Sequence, residues 1–315
     1  MSSLEAIRTS LADDQNVLET LQDLNALLEG NPSAAFASEV ASSLPLSRLF
    51  YLLSQHAAGE AQLIHRTCAV LDKVLALLPG SEIATYGQFI ELGLQTSVEN
   101  VKKTCLGVLK KHSSDLSVRS MLSAPTMFHL VTQVIGDDSL QCAKTSSDLL
   151  LQFLTTPTSS LVSGLRESLV IDLQSLMKKS DIVRYRVYEL CVEAVLKGGR
   201  ESFDFLSSSG FLNQLVNELS GDDILVKLNC IELLTQLLDS DEGAGFLEMN
   251  EVLAKLHGLL VSARQDPLGE VVIPGKLWEH THIMSTIVEP SCSIPSFNKA
   301  LNQEYSTSED LLTKH

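Results

Sequence analysis

No C-x-x-C pair occurs anywhere in this chain, and its six cysteines are spread widely, so metal and redox motifs built on that pair are excluded. No run of 18 apolar residues is available to cross a bilayer as a helix. The first residues, Met1 to Asp14, are polar and carry Glu5, Arg8, Asp13 and Asp14, which is not the pattern of a secretory signal. Phosphate cradles of the G-x-x-x-x-G-K-[ST] and G-x-G-x-x-G types, the G-x-S-x-G nucleophile elbow and the H-E-x-x-H zinc helix are all missing. Aromatic residues make up only 5% of the chain, with a single tryptophan, Trp278, so leucine must supply most of the core. Positive charge is scarce as well: 23 Lys and Arg stand against 39 Asp and Glu, a formal net charge of −16. A surface of that sign repels phosphate backbones and anionic lipid, which disfavours nucleic-acid and membrane partners. It suits a protein partner with a basic or mixed surface.

What the chain does have is periodicity. Ile64, Val101, Cys142, Val183 and Val226 follow one another in steps of 37, 41, 41 and 43 residues. Four residues after each anchor come Cys68, Cys105, Ser146, Val187 and Cys230; seven after come Leu71, Val108, Leu149, Leu190 and Leu233. Positions i, i+4 and i+7 share one helix face, so each unit contributes a helix with a buried stripe at fixed phase. A helical repeat of about forty residues predicts an all-α, right-handed solenoid of the armadillo/HEAT kind. Stacking also explains how 315 residues at 44% hydrophobic bury their apolar surface, since a single core rarely grows past about 250–300 residues. Four cysteines fall at inward positions and Cys191 lies just past its stripe, which reads as small buried hydrophobes in a reduced compartment, cytosol or nucleus.

Along the chain, Leu4 to Leu28 reads as one capping helix that stops at Gly30-Asn31-Pro32. Leu44 to Leu53 leads into the helix anchored on Ile64, which ends at Pro79-Gly80. The cleanest unit is 201–239: a short helix ended by Gly210, a second from Phe211 closed at Ser220-Gly221, and a third over Ile224–Leu238. Asp222-Asp223 sit where carboxylates favour the third helix's N-terminus, with Asp181 and Asp137-Asp138 expected in the same role in earlier units. Register fails near Asp266-Pro267, and Pro267, Pro274, Pro290 and Pro295 interrupt the rest of the chain. The expected organisation is therefore capping helices over 1–44, repeats over 45–265 and a divergent, poorly ordered tail over 266–315.

Chemistry is sparse. His280 and His282, with Glu279 and Cys292 nearby, are the only residues that resemble metal ligands, and their spacing suits no standard zinc helix. His56, His65, His112, His129 and His257 are scattered and read as surface or hydrogen-bonded helix residues. With no convergent acid, base and nucleophile, no enzyme, cofactor or metal site is expected. The densest cluster is Asp181-Ile-Val-Arg-Tyr-Arg-Val-Tyr-Glu-Leu190. It admits two readings: an internal network in which arginines pair with Asp181, Glu189 or Glu193, or a partner-binding site at Arg184, Arg186 and Tyr188, residue types enriched at binding hot spots.

That run, together with Ser209-Gly-Phe-Leu-Asn-Gln-Leu-Val-Asn-Glu-Leu-Ser-Gly-Asp-Asp-Ile-Leu-Val-Lys-Leu-Asn-Cys-Ile-Glu232, closely resembles the family of the non-ATPase regulatory subunit 5 of the 26S proteasome. Weaker similarity at Leu46-Ser-Arg-Leu-Phe-Tyr-Leu-Leu53 and in the repeats between extends the resemblance over residues 1 to about 275. The resemblance implies a non-enzymatic chaperone for assembly of the regulatory particle base, which binds AAA-ATPase subunits transiently and is absent from the mature particle. It also implies restraint of 26S assembly or promotion of disassembly. Family members continue through many more repeats, so a truncated or alternative form is expected, monomeric on its own. The competing reading is an armadillo-type adaptor in transport or signalling. Such an adaptor would carry Asn and Trp ladders along its concave helices, and Trp278 lies outside the repeats.

Overall fold

The computed structural model describes residues 3–12, 16–55, 60–156, 164–252, 254–256 and 258. Expectations about 266–315, His56, His257, the His280–His282 pair and Trp278 lie outside the described residues. Every regular element among the described residues is helical: α1 (Ser3–Ala12), α2 (Val17–Gly30), α3 (Ala34–Ser43), α4 (Leu46–Gln55), α5 (Ala61–Leu77), α6 (Gly80–Thr85), α7 (Gly87–Gln95), α8 (Glu99–Lys111), α9 (Leu116–Leu122), α10 (Pro125–Gln133), α11 (Leu140–Leu154), α12 (Leu165–Leu176), α13 (Asp181–Ser208), α14 (Phe211–Glu218), α15 (Ile224–Gln236) and α16 (Asp241–Met249). The chain divides into two compact units, residues 1–205 and 206 onward.

In the first unit the helices come in threes, and like packs on like. First helices pair as α6 on α9, second helices run α4, α7, α10, α12, and third helices run α2, α5, α8, α11. Each three-helix group thus stacks on the next through equivalent faces, the arrangement of an armadillo-type solenoid. The anchor stripes lie inside it: Ile64, Cys68 and Leu71, Val101, Cys105 and Val108, Cys142, Ser146 and Leu149, and Val183, Val187 and Leu190 are all buried. At 25 cal/mol per Å² of apolar surface, burying one such leucine or valine contributes about 1.5–3 kcal/mol, so the repeated stripe dominates the fold.

Several details depart from expectation. The amino-terminal helix is two helices, with Asn16 at φ 49° before α2. Helix α13 is two helices meeting at a kink at non-helical Gly199 (φ 59°, ψ −149°), a third helix followed by the first helix of the next repeat. The combination of that φ with that ψ is essentially open only to glycine. The expected carboxylate caps hold at α15, where Asp223 Oδ1 accepts from Leu225 and Val226 N–H at 2.8 and 3.2 Å. At α11 and α13, serine takes the position: Ser139 Oγ accepts from Cys142 N–H and Ser180 Oγ from Val183 N–H, both reaching the third helical residue.

The second unit contains α14, entered from Gly210 at φ 84° as the sequence predicts, α15 packed on it, and α16, capped by Ser240. Cys230 and Leu233 are buried there. Val226 is only half-buried, because the first turn of α15 stands out of the core, with Ile224 45% and Leu225 71% exposed.

Candidate interaction surface

The third-helix ladder of the first unit is tied laterally by polar side chains that reach from one repeat to the next. Lys73 on α5 pairs with Glu29 on α2, and Arg66 donates to Gln22 Oε1 at 2.8 Å and Leu18 O at 2.9 Å. His112 Nε2 lies 3.0 Å from Leu75 O, and Lys110 on α8 pairs with Asp148 on α11 at 2.6 Å. Along the second helices His129 meets Asp172 at 2.9 Å. The Lys73 and Lys103 ammonium groups hold the Glu29 and Glu99 carboxyls below their ordinary range. These pairs are mostly solvent-exposed and screened by water and salt, so they set register more than stability.

The 134–140 connection, between α10 and α11, is held far more tightly. Asp137 accepts from Ser139 N–H at 2.9 Å and pairs with Lys102 of the preceding repeat, both side chains largely sheltered from solvent. Ser139 Oγ donates to Glu99 at 2.6 Å. From the following repeat, Arg186 Nη1 donates to Ile135 O at 3.0 Å and Asp137 O at 2.7 Å. Bonded from both sides, this loop presents Asp138 and, at the start of α11, Leu140, which is 69% exposed. One repeat on, Ile182 occupies the start of α13 at 68% exposure. Each stands near an exposed carboxylate, Asp138 beside Leu140 and Asp181 beside Ile182.

The three sequence-predicted binding residues lie on one helix but in different settings. Arg184 is half-buried and pairs with Asp181 one turn earlier. Arg186 is half-buried and committed to the two carbonyls. Tyr188 is 2% exposed and offers a partner no surface in this conformation. The exposed Leu140 and Ile182 escaped sequence reasoning, since an apolar residue beside a buried stripe reads as more core.

Cys68, Cys105, Cys142, Cys191 and Cys230 are all buried. Burial pushes the Cys68 thiol up to about 11, and raises Cys105 and Cys191 further still, so none is a ready nucleophile. Among the described residues no group of three or more His, Cys, Asp or Glu could hold a metal ion. No described helix is long and apolar enough to cross a membrane.

The family model for the proteasome non-ATPase 26S subunit matches residues 2–303. The chain belongs to that family. The match runs past residue 275, where the resemblance read from the sequence stops. The chain is 31% identical over 261 residues to the 26S proteasome non-ATPase regulatory subunit 5 of Bos taurus, covering 82% of this chain and 50% of the relative. The Homo sapiens subunit of the same name is 30% identical over the same shares, and that of Drosophila melanogaster 27% over 66% of this chain and 39% of its own. The chain spans about half the length of the curated relatives from cattle and human. Among solved structures, a computationally designed armadillo repeat protein for modular peptide recognition is 16% identical over 74% of this chain and 99% of its own, at a TM-score of 0.48. The helix-on-helix stacking within the chain, not that likeness, assigns the architecture.

Proposed function

We propose that this protein is a non-enzymatic assembly chaperone for the base of the 26S proteasome regulatory particle, which holds an AAA-ATPase subunit in the cytosol or nucleus and departs before the particle is complete. The observation that carries the reading is membership of a family of non-ATPase proteasome subunits in a chain built as a stacked binding scaffold. The proposed contact surface is the edge at the starts of α11 and α13. There Asp138, Leu140 and Ile182 are exposed, Arg184 follows two residues after Ile182, and Arg186 holds the 134–140 connection in place.

The test is a titration of the purified chain against isolated proteasomal ATPase subunits, together with blotting of mature 26S particles for the chain. Binding in the micromolar range or tighter, weakened by Leu140→Asp and Ile182→Asp, is the expected result. Failure of the wild type to bind any ATPase subunit, or its stoichiometric presence in mature particles, would reject the chaperone reading. Unchanged binding by folded Leu140→Asp and Ile182→Asp would move the surface elsewhere.

A further inference from the structure

A cleft of about 320 Å³ opens between the carboxyl-terminal ends of α8 and α11, lined by Ser113, Ser114, Arg119, Gln152, Thr155 and Thr156 among others. Its one charged group is Arg119, half-buried on α9. In a chain of net charge −16, a sheltered guanidinium would be expected to find a carboxylate. Lys102, Lys110, Arg166 and Arg184 all do so in the same unit. Arg119 makes no ion pair with any described residue.

The hydrogen-bond inventory of the cleft says what it lacks. Ser113 Oγ donates to Lys110 O at 2.9 Å, Thr155 Oγ1 to Leu151 O at 2.8 Å, and Thr156 Oγ1 to Gln152 O. Ser202 Oγ donates to Leu154 O at 2.7 Å and Arg166 to Thr156 O at 3.4 Å. The carbonyls that end α11, and Lys110 O at the end of α8, are therefore supplied with donors without Arg119. Ser113, Thr155 and Thr156 have spent their protons but keep lone pairs for an incoming N–H. The cleft thus sets a planar fork of five donors beside oxygens that can only accept. A peptide segment with an acidic side chain satisfies both: its carboxylate forms a bidentate pair with the guanidinium, and its backbone N–H groups meet the threonine oxygens. The volume lies at the small end of the roughly 300–1,000 Å³ of ligand sites, which fits one acidic residue and its flanking peptide groups.

We infer that this cleft receives the carboxylate side chain of an extended partner segment, with Arg119 as the anion-binding residue. The assignment does not depend on which protein supplies the segment, so it stands apart from the ATPase reading. The test is fluorescence anisotropy on the full chain with a labelled (Gly-Glu)4 peptide, with (Gly-Gln)4 as the neutral control. The glutamate peptide should bind about tenfold more tightly, the worth of one charge-assisted pair. Arg119→Gln should reduce it to the level of the glutamine peptide, and Arg119→Lys should fall between. Lys111→Gln removes an exposed charge at the end of α8 and should leave binding unchanged, as should the melting temperature of each variant. Equal binding of the two peptides by wild type, or full binding by folded Arg119→Gln, would overturn the proposal. Displacement by inorganic phosphate at far lower concentration than by acetate would reassign the cleft to a phosphate and overturn the carboxylate assignment.

Discussion

Replacing Arg186 by alanine tests whether the cluster Asp181–Leu190 is structural support or exposed binding surface. The substitution removes a guanidinium whose Nη1 serves two carbonyls, Ile135 O at 3.0 Å and Asp137 O at 2.7 Å. Hydrogen bonds from charged donors contribute about 1.5–3 kcal/mol each, but one nitrogen shared between two acceptors at a half-buried site points to about 2 kcal/mol in total. For a unit of 205 residues, that corresponds to a fall in melting temperature of about 4–8 °C. Arg186→Lys should recover less than half of it, because an ammonium lacks the planar fork. Arg184→Ala is the internal control. It breaks a partly exposed pair with Asp181 inside a single helix turn, worth about 0.3–0.5 kcal/mol. Because stacked repeats open in parts, thermal melting followed by circular dichroism should be accompanied by amide hydrogen exchange. Exchange over 134–140 should rise in Arg186→Ala and stay level in Arg184→Ala. A melting temperature within about 1 °C of wild type, with unchanged exchange in that loop, would refute the reasoning.

Three further outcomes are expected. Val187→Asp places an unpaired carboxylate at a position with no solvent exposure, and should cost several kcal/mol and yield insoluble protein; a soluble variant with wild-type melting temperature would contradict the stripe. A Cβ at Gly93 would lie 2.4 Å from Cys105 Sγ and 3.3 Å from Val101 Cγ1, so Gly93→Ala should destabilise by about 1–3 kcal/mol. Cys105→Ala should relieve much of that loss in the double variant, and additive melting shifts would exclude the steric cause. Burial raises the Cys68 thiol from 9.0 to about 11. The folded state then holds its proton where the unfolded chain releases it, so this stabilisation is complete below pH 9 and lost as pH climbs toward 11. Melting temperatures should hold level to about pH 8.5 and fall above it, and buried thiols should react slowly with a disulfide reagent until the protein unfolds. A flat profile to pH 11 would contradict the desolvation argument.

The family is proteasomal, and the match to the cattle relative covers half of that relative's length. If the ATPase titration succeeds with this chain alone, the part of the family's length that it covers carries binding energy of its own. Binding through the starts of α11 and α13 would use surface that neighbouring repeats have already ordered, so little conformational entropy remains to be lost on association.

The sequence determined the repeating element. A hydrophobic stripe at i, i+4 and i+7, returning every forty residues or so, leaves no alternative to stacked helices, because each helix can hide its apolar face only against the next. Glycine at 210 was equally legible, since a left-handed turn admits few other residues. The sequence also placed Arg184, Arg186 and Tyr188 together on one helix, but it did not determine which of them reach solvent. That depended on partners about fifty residues away, at Ile135 and Asp137, which no local pattern encodes. The same holds for the cleft. Arg119 on α9 lines one cleft with Gln152 and Thr156 at the end of α11 only because α8 and α11 stack against each other. Periodicity specifies each helix and its inward face, while the charged and polar contacts between repeats arise from packing and become visible only in three dimensions.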